Sequence, residues 1–378
     1  LLKKIHLSAS NVNHKEILYI QEAINRKEFS NYGANLREFQ IQLKEYFRER
    51  REVVLLNSGT SAIHMALINL GVKRGDEVIC QSFTFAASAF PILYQGAKPV
   101  FIDSENDTWN ICPNLLEEAV KARIEKGIRP KAIIIVHSYG MPARMDDIIE
   151  ISNKYEIPVV EDAAESLGSS YKGIRCGAFG DFGVLSFNGN KIITTSGGGV
   201  LLCKTKFQKE NSIFLSNQAK NNNSFYEHSE VGYNYAMSNI IAGIGRSQME
   251  ILDENVKIKR VIHTYYNRLF KNIDGIKLSN EPDINFCSNY WLNCALIDKS
   301  TTGFTSEYLI KGLAKENIEC RPLWRPMHIQ PLFKNSLFYG PGVSESLFNS
   351  GICFPSGSDL SDDDLNRIQE AIEKYIKS

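Results

Sequence analysis

The 378-residue sequence has no surplus of charge: Lys and Arg together number 43, as do Asp and Glu. There is thus no global positive field to draw in nucleic acid, and no acidic tail. Long apolar runs are missing too. The longest aliphatic run of strand character, Ala132 to Val136, falls far short of the roughly 20 residues that cross a bilayer. Leu1-Leu2-Lys3-Lys4 is not followed by the apolar stretch of a secretion signal, and no initiator Met stands before it. A soluble cytoplasmic protein that binds neither membrane nor nucleic acid is expected. The eight cysteines are dispersed, with no CxxC and no paired Cys/His spacing. That argues against a zinc site and against a disulfide framework, and most are expected to be small buried apolar residues. Internal repeats are absent, and low complexity is confined to Asn221-Asn222-Asn223.

What is present is the balance of an ordinary folded chain, 43% hydrophobic and 23% charged, which excludes disorder over most of its length. The length suggests about two domains, expected as 1-245 and 246-378. Between Val53 and Cys203, short β-branched runs alternate with helical patterns: Val53-Leu56, Glu77-Cys80, Pro99-Ile102, Ala132-His137, Pro158-Glu161, Val184-Asn188 and Gly199-Cys203. Such alternation predicts an α/β fold with a largely parallel sheet covered on both faces, and chemistry at the carboxyl ends of the strands. A long helical region is predicted from about Ser238 to Phe270, after a mobile loop at Lys220-Ser224. A smaller α+β domain follows, with a strand near Tyr290-Leu296. Its last helix begins at Ser361 with Asp364 as a capping pair and carries Leu365, Ile368, Ile372 and Ile376 on one stripe. The mixed run Arg48-Glu49-Arg50-Arg51-Glu52 reads as a solvated face.

Three elements carry chemistry. Asn57-Ser58-Gly59-Thr60-Ser61 lies between a strand and an apolar helical run, where free backbone N–H groups and the positive helix end suit a phosphate. Alone, it is equally the pattern of a plain N-cap. Pro158-Val159-Val160-Glu161-Asp162 is a buried strand ending in acids. A carboxylate there needs a cation or strong donor, and a protonated pyridine nitrogen is one; a metal ligand or a structural cap fits the motif as well. In Ser186-Phe187-Asn188-Gly189-Asn190-Lys191 a strand presents a hydroxyl, and a lysine arrives five residues later, before Gly197-Gly198-Gly199. Lys191 suits a Schiff base with an aldehyde, although most lysines at turns are simply solvated.

In order and character these elements resemble the aspartate-aminotransferase-like enzymes of fold type I, and among them the DegT/DnrJ/EryC1/StrS family of pyridoxal phosphate (PLP)-dependent nucleotide-sugar aminotransferases. The resemblance spans nearly the whole chain and extends to Ser82-Phe83-Thr84-Phe85, Gly232-Tyr233-Asn234-Tyr235 and Arg321-Pro322-Leu323-Trp324. It implies a large PLP-binding domain and a smaller C-terminal one. It also implies that Lys191 carries pyridoxal 5'-phosphate covalently and moves the proton, and that Asp162 keeps the pyridine nitrogen protonated. Gly59, Thr60 and Ser186 would bind the phosphate, Phe85 would stack on the ring, and Asn234 would reach the phosphate of a neighbouring subunit, making a homodimer with shared sites. Glu165 stands where many members carry Gln or His near the cofactor's phenolic oxygen. Ala236 stands where Arg is frequent.

Features of Tyr226-Glu227-His228-Ser229-Glu230 and of Arg321-Pro322-Leu323-Trp324-Arg325-Pro326-Met327-His328 resemble enzymes that aminate C4 of UDP-4-keto-6-deoxy-N-acetylhexosamines in bacterial glycan precursor synthesis. L-Glutamate is the implied donor. Lys220, Arg321, Arg325 and His328 are candidate ligands of the nucleotide-linked ketosugar, as is Tyr32 in Ser30-Asn31-Tyr32-Gly33. A C3-keto dTDP-sugar aminotransferase is the alternative among enzymes. A non-catalytic PLP-binding regulatory protein is the alternative of another class, against which Lys191 and Asp162 count.

Overall fold

In the computed structural model, which describes residues 3–376, each of the seven β-branched runs is a strand of one sheet. Its order is Glu52–Leu56, Gly199–Cys203, Phe182–Ser186, Val159–Asp162, Ala132–Val136, Glu77–Gln81, Lys98–Ile102 and Leu337–Tyr339. The first two junctions are antiparallel. The remaining five are parallel. The cause is visible in Ala132–Val136, which is buried at every position. Ile134 packs into the apolar layer on one face of the sheet and Ile133 and Ile135 into the layer on the other, so neither face tolerates a polar alternate. Burying each such side chain contributes about 1.5–3 kcal/mol.

A second, antiparallel sheet runs Ile276–Leu278, Asn293–Ile297, Gly351–Phe354, Arg321–Pro322. With the helices Leu252–Phe270, Ser306–Lys315 and Asp362–Ile376 it encloses a core of its own, including Tyr266, Leu309, Phe354, Ile368 and Ile372. The final helix is capped as expected: Ser361 Oγ accepts from the Asp364 amide at 3.2 Å, and the Asp364 carboxylate accepts from Ser361 Oγ at 2.9 Å.

Two segments run across a division of the chain at residue 245. Leu337–Tyr339 pairs in parallel with Lys98–Ile102. At the other end of the chain, Ile5 bridges Ile318 and the Leu7 carbonyl accepts from the Ser356 amide at 2.7 Å. The region expected as one long helix is two, Asn239–Met249 and Leu252–Phe270, with Glu250 between them taking Lys15 Nζ at 2.6 Å and Tyr19 Oη at 2.7 Å. The Asn-rich segment is tied into a turn, where Asn221 and Asn223 both donate to the Glu227 carboxylate and Lys220 bridges His228. Arg51 corrects the reading of a solvated charged face. It is only 4% exposed because Glu52 already begins the edge strand. Burial lowers its pKa, against the opposing charges of Glu161 and Asp181.

Candidate active site

The carboxyl ends of the parallel strands open into a cavity of about 1130 Å³, and the residues around it are set there by local geometry. The helix Gly59–Asn69 starts in a capping box in which Ser58 Oγ accepts from the Ser61 amide at 3.0 Å. That leaves the amides of Gly59 and Thr60 with no protein acceptor among the described residues. A Cβ at Gly59 would lie 3.0 Å from Ser186 Cβ, so the helix end and the strand end meet only because position 59 is glycine. Ser186 closes the strand Phe182–Ser186, short of the Asn188 boundary expected. Phe187 and Asn188 therefore belong to the turn, in which the Lys191 amide donates to the Asn188 carbonyl at 3.0 Å.

The alternation of a strand separates the two acids of Val159–Asp162. Glu161 faces away from the cavity and accepts the amides of Gly177, Phe179 and Gly180 at 2.6–2.8 Å. Asp162 lines the cavity and is 5% exposed. It accepts from Ser88 Oγ at 2.6 Å and from the Ala164 amide at 3.2 Å. No Lys, Arg or His among the described residues pairs with Asp162, so a buried carboxylate faces the cavity with two neutral donors and no cation.

Lys191 Nζ lies 3.0 Å from Glu165 Oε1 and 4.2 Å from the centroid of the Trp291 ring. Trp291 is held in turn by its indole N–H, which donates to the Asn190 carbonyl at 2.8 Å. Glu165 Oε2 accepts from the Tyr139 amide at 2.9 Å. Burial pushes the Glu165 carboxyl up to about 7, against the downward pull of Lys191 and the Tyr139 amide. Tyr139 stacks on Trp324 with ring centroids 4.3 Å apart, and its hydroxyl accepts from the Trp324 amide at 2.9 Å. Arg321 and Arg325 also line the cavity, Arg321 donating to Glu319 at 2.7 Å. The N-terminal segment closes one side: Ser8 Oγ and Ser10 Oγ donate to the carbonyls of Asn190 and Gly189 at 3.2 and 2.8 Å.

Of the candidates read from the sequence, Gly59, Thr60, Phe85, Asp162, Glu165, Ser186, Lys191, Arg321 and Arg325 line this one cavity. Four do not. His328 is turned to structural partners, with Nδ1 2.7 Å from Ser82 Oγ, Nε2 3.1 Å from Glu345 Oε1 and its ring stacked on Phe338. Tyr32 is 61% exposed, and Lys220 and Asn234 are also exposed. Ser88, Tyr139, Trp291, Ser8 and Ser10 were not anticipated. Only Ser88 carried a local signal, as a hydroxyl in the first turn of the helix Ala86–Tyr94 that follows Thr84, to which it bonds at 2.7 Å.

Pyridoxal phosphate brings a phosphate, a pyridine nitrogen and an aldehyde, and the cavity has a match for each. The two unpaired amides beside Ser186 suit the phosphate, the cation-free Asp162 suits a protonated ring nitrogen, and Lys191 offers an amine to the aldehyde. Phe85, 61% exposed beside them, offers a face to a planar ring. A largely parallel sheet with such a cavity at its carboxyl edge is that of a fold type I enzyme using pyridoxal phosphate. The chain belongs to the DegT/DnrJ/EryC1/StrS aminotransferase family, whose profile matches residues 10–373, and is a PLP-dependent sugar aminotransferase.

It is 46% identical over 374 residues, 98% of this chain and 95% of the other, to EpsN of Bacillus subtilis (strain 168), which carries the name of a pyridoxal phosphate-dependent aminotransferase. It is 33% identical over 99% of both chains to the GDP-perosamine synthase of Escherichia coli O157:H7. Among solved structures, a DegT DnrJ EryC1 StrS aminotransferase from Brucella abortus superposes with a TM-score of 0.89 at 27% identity, covering 97% of this chain and 96% of that one. Among the described residues no helix is long and apolar enough to cross a membrane, and no cluster of His, Cys, Asp or Glu could hold a metal ion.

Proposed function

We propose that this chain transfers the amino group of L-glutamate to C4 of a nucleotide-linked 4-keto-6-deoxy sugar, with UDP-4-keto-6-deoxy-N-acetylhexosamine as acceptor. The observation that carries the reading is that Lys191, Asp162, Gly59 and Thr60 line one cavity together with Arg321 and Arg325. The first four suit the cofactor, the two arginines an anionic substrate. When bound, pyridoxal phosphate supplies an electron sink for the carbon that gains or loses the amine. Asp162 holds the ring nitrogen's proton, and Lys191 Nζ moves a proton to and from the reacting carbon. Gly59, Thr60 and Ser186 anchor the phosphate, and Phe85 covers the ring. Arg321 and Arg325 face the diphosphate, for which a planar guanidinium is well shaped. A relative from Campylobacter jejuni named as a UDP-4-amino-4,6-dideoxy-N-acetyl-beta-L-altrosamine transaminase, 33% identical over 71% of this chain, supports the UDP-linked acceptor. A GDP-linked acceptor is the second reading, favoured by the full-length likeness to GDP-perosamine synthases.

Incubating the enzyme and glutamate with UDP-, GDP- and dTDP-linked ketosugars, with product identification by NMR, separates these acceptors. The UDP-linked 4-keto compound should give the highest kcat/KM; a better GDP- or dTDP-linked compound replaces it while the aminotransferase chemistry stands. Substitution of Arg325 by alanine should raise the ketosugar KM about 10- to 100-fold, the value of a lost charge-assisted bond. The glutamate half-reaction should change little, because only uniform binding of the second substrate is removed. An equal fall in both half-reactions would place Arg325 with the cofactor.

The exposed candidates support a homodimer with shared sites. Tyr32 adjoins Asn31, which bonds Asn217; Asn217 bridges Asn234, and Lys220 lies three residues further along the chain. They thus share one face, together with Phe225, Tyr226 and Val231, which are 63%, 81% and 80% exposed. Apolar exposure on that scale is covered in a stable protein, here by a second copy whose cavity takes Asn234. Mixing inactive Lys191→Ala and inactive Asn234→Ala proteins should restore up to about a quarter of the activity, since one site of each mixed dimer bears neither change. Absence of recovery despite proven subunit exchange excludes sharing through Asn234.

A further inference from the structure

We infer that Glu165 is the buried counter-ion of Lys191, a positioning residue that fixes the free lysine amine in the cavity and exchanges a proton with it. The inference rests on Lys191 being the cofactor lysine. Its basis is the geometry of three fixed neighbours. Glu165 is 5% exposed and uses both carboxylate oxygens: Oε2 is held by the Tyr139 amide, which leaves Oε1 aimed at Lys191 Nζ 3.0 Å away. Tyr139 adopts φ 54°, an unusual backbone for a bulky residue, and it is this conformation that presents its amide to Glu165. The lysine is fenced from the other side by Trp291 at 4.2 Å.

Among the described residues no other carboxylate pairs with Lys191. The groups that face the pair are the Asp162 carboxylate, which pushes Glu165 up, the Tyr139 phenol and the Cys294 thiol, both pushed up first by burial and then by neighbouring groups that include Glu165. In these dry surroundings burial disfavours the charged carboxylate, and the charge of Lys191 opposes that. The step is a proton shift alone: the Lys191 N–H bond breaks, the Glu165 O–H bond forms, and a basic amine is left without the proton having to leave the cavity. A glutamine in its place could not lend Lys191 a negative charge.

The test uses the full-length chain freed of cofactor and follows the pH dependence of Lys191 labelling by trinitrobenzenesulfonate, read by peptide mass spectrometry. In the isosteric variant Glu165→Gln the lysine loses its counter-ion but keeps its apolar fence. Its labelling midpoint should fall by at least about one pH unit, making labelling at neutral pH about tenfold faster. Glu165→Asp, which keeps the charge on a shorter stem, should give a smaller fall and serves if the glutamine variant folds poorly by near-ultraviolet circular dichroism. Glu319→Gln removes another carboxylate of the same cavity, one paired with Arg321 rather than Lys191, and should leave the midpoint where it was. An unchanged profile in folded Glu165→Gln, or an equal shift in Glu319→Gln, overturns the inference. Attachment of the cofactor to another lysine sinks the reading of Lys191 and leaves the labelling result untouched.

Discussion

Replacing Lys191 with alanine should lower transamination at least about 10³-fold, since in the proposed mechanism one side chain supplies both the amine that holds the cofactor and the proton carrier. The fold should persist. Lys191 sits on a turn and contributes no atom to an apolar core, and its one ion pair is with Glu165. That carboxyl, already raised to about 7 by burial, takes up a proton when its cation is gone, so little strain remains. Circular dichroism and a melting curve close to those of the parent check the second half of the expectation. Borohydride reduction of the parent loaded with pyridoxal phosphate should fix the cofactor to the peptide that contains Lys191. Recovery of the label on any other lysine, or retention of more than a tenth of the activity in the alanine variant, rejects the assignment.

The second large effect is expected at Asp162. Its two oxygens accept from Ser88 and Ala164, and an asparagine of the same shape keeps at most one of those acceptors while losing the charge. The change Asp162→Asn should lower kcat by about 10² to 10³-fold, the scale of removing one preorganised charged partner from a dry site. Cofactor binding should fall far less, because the phosphate cradle at Gly59, Thr60 and Ser186 is untouched. Near-parental turnover would mean that another group holds the ring nitrogen's proton. Ser88→Ala offers a milder check, expected to act in the same direction by roughly tenfold, as one hydrogen bond that orients the carboxylate is removed.

These residues were legible in the sequence for a physical reason. In an open parallel sheet the apolar strand ends abruptly, and the next polar residues stand at the carboxyl edge where the cavity opens; Asn57 to Thr60, Asp162 and Ser186 all occupy such ends. The runs themselves announced their strands because burial on both faces leaves no polar positions to confuse the pattern. What local pattern cannot carry is contact between distant segments. Tyr139 and Trp291 lie 152 residues apart in the numbering, yet both shape the pocket around Lys191. His328 follows two arginine-bearing motifs as a ligand would, and only the fold shows its ring turned to Ser82 and Glu345. Arg51 belongs to a charged run and is buried because the strand it precedes lies against the helix Ala34–Tyr46, a packing no composition reveals.

The strap formed by residues 5 to 10 has a consequence for the order of assembly. Their partners at Ile318 and Ser356 lie more than 300 residues further along the chain. The strap that lays Ser8 and Ser10 over Gly189 and Asn190 is therefore not fully anchored until those two distant partners have been made. The parallel sheet can form while the chain is still growing, since its first seven strands are complete by Cys203, whereas the contact of the strap with Ile318 closes a loop of more than 300 residues. Contacts of that sequence separation form late and slowly. The central sheet can thus be built before the strap closes its side of the pocket.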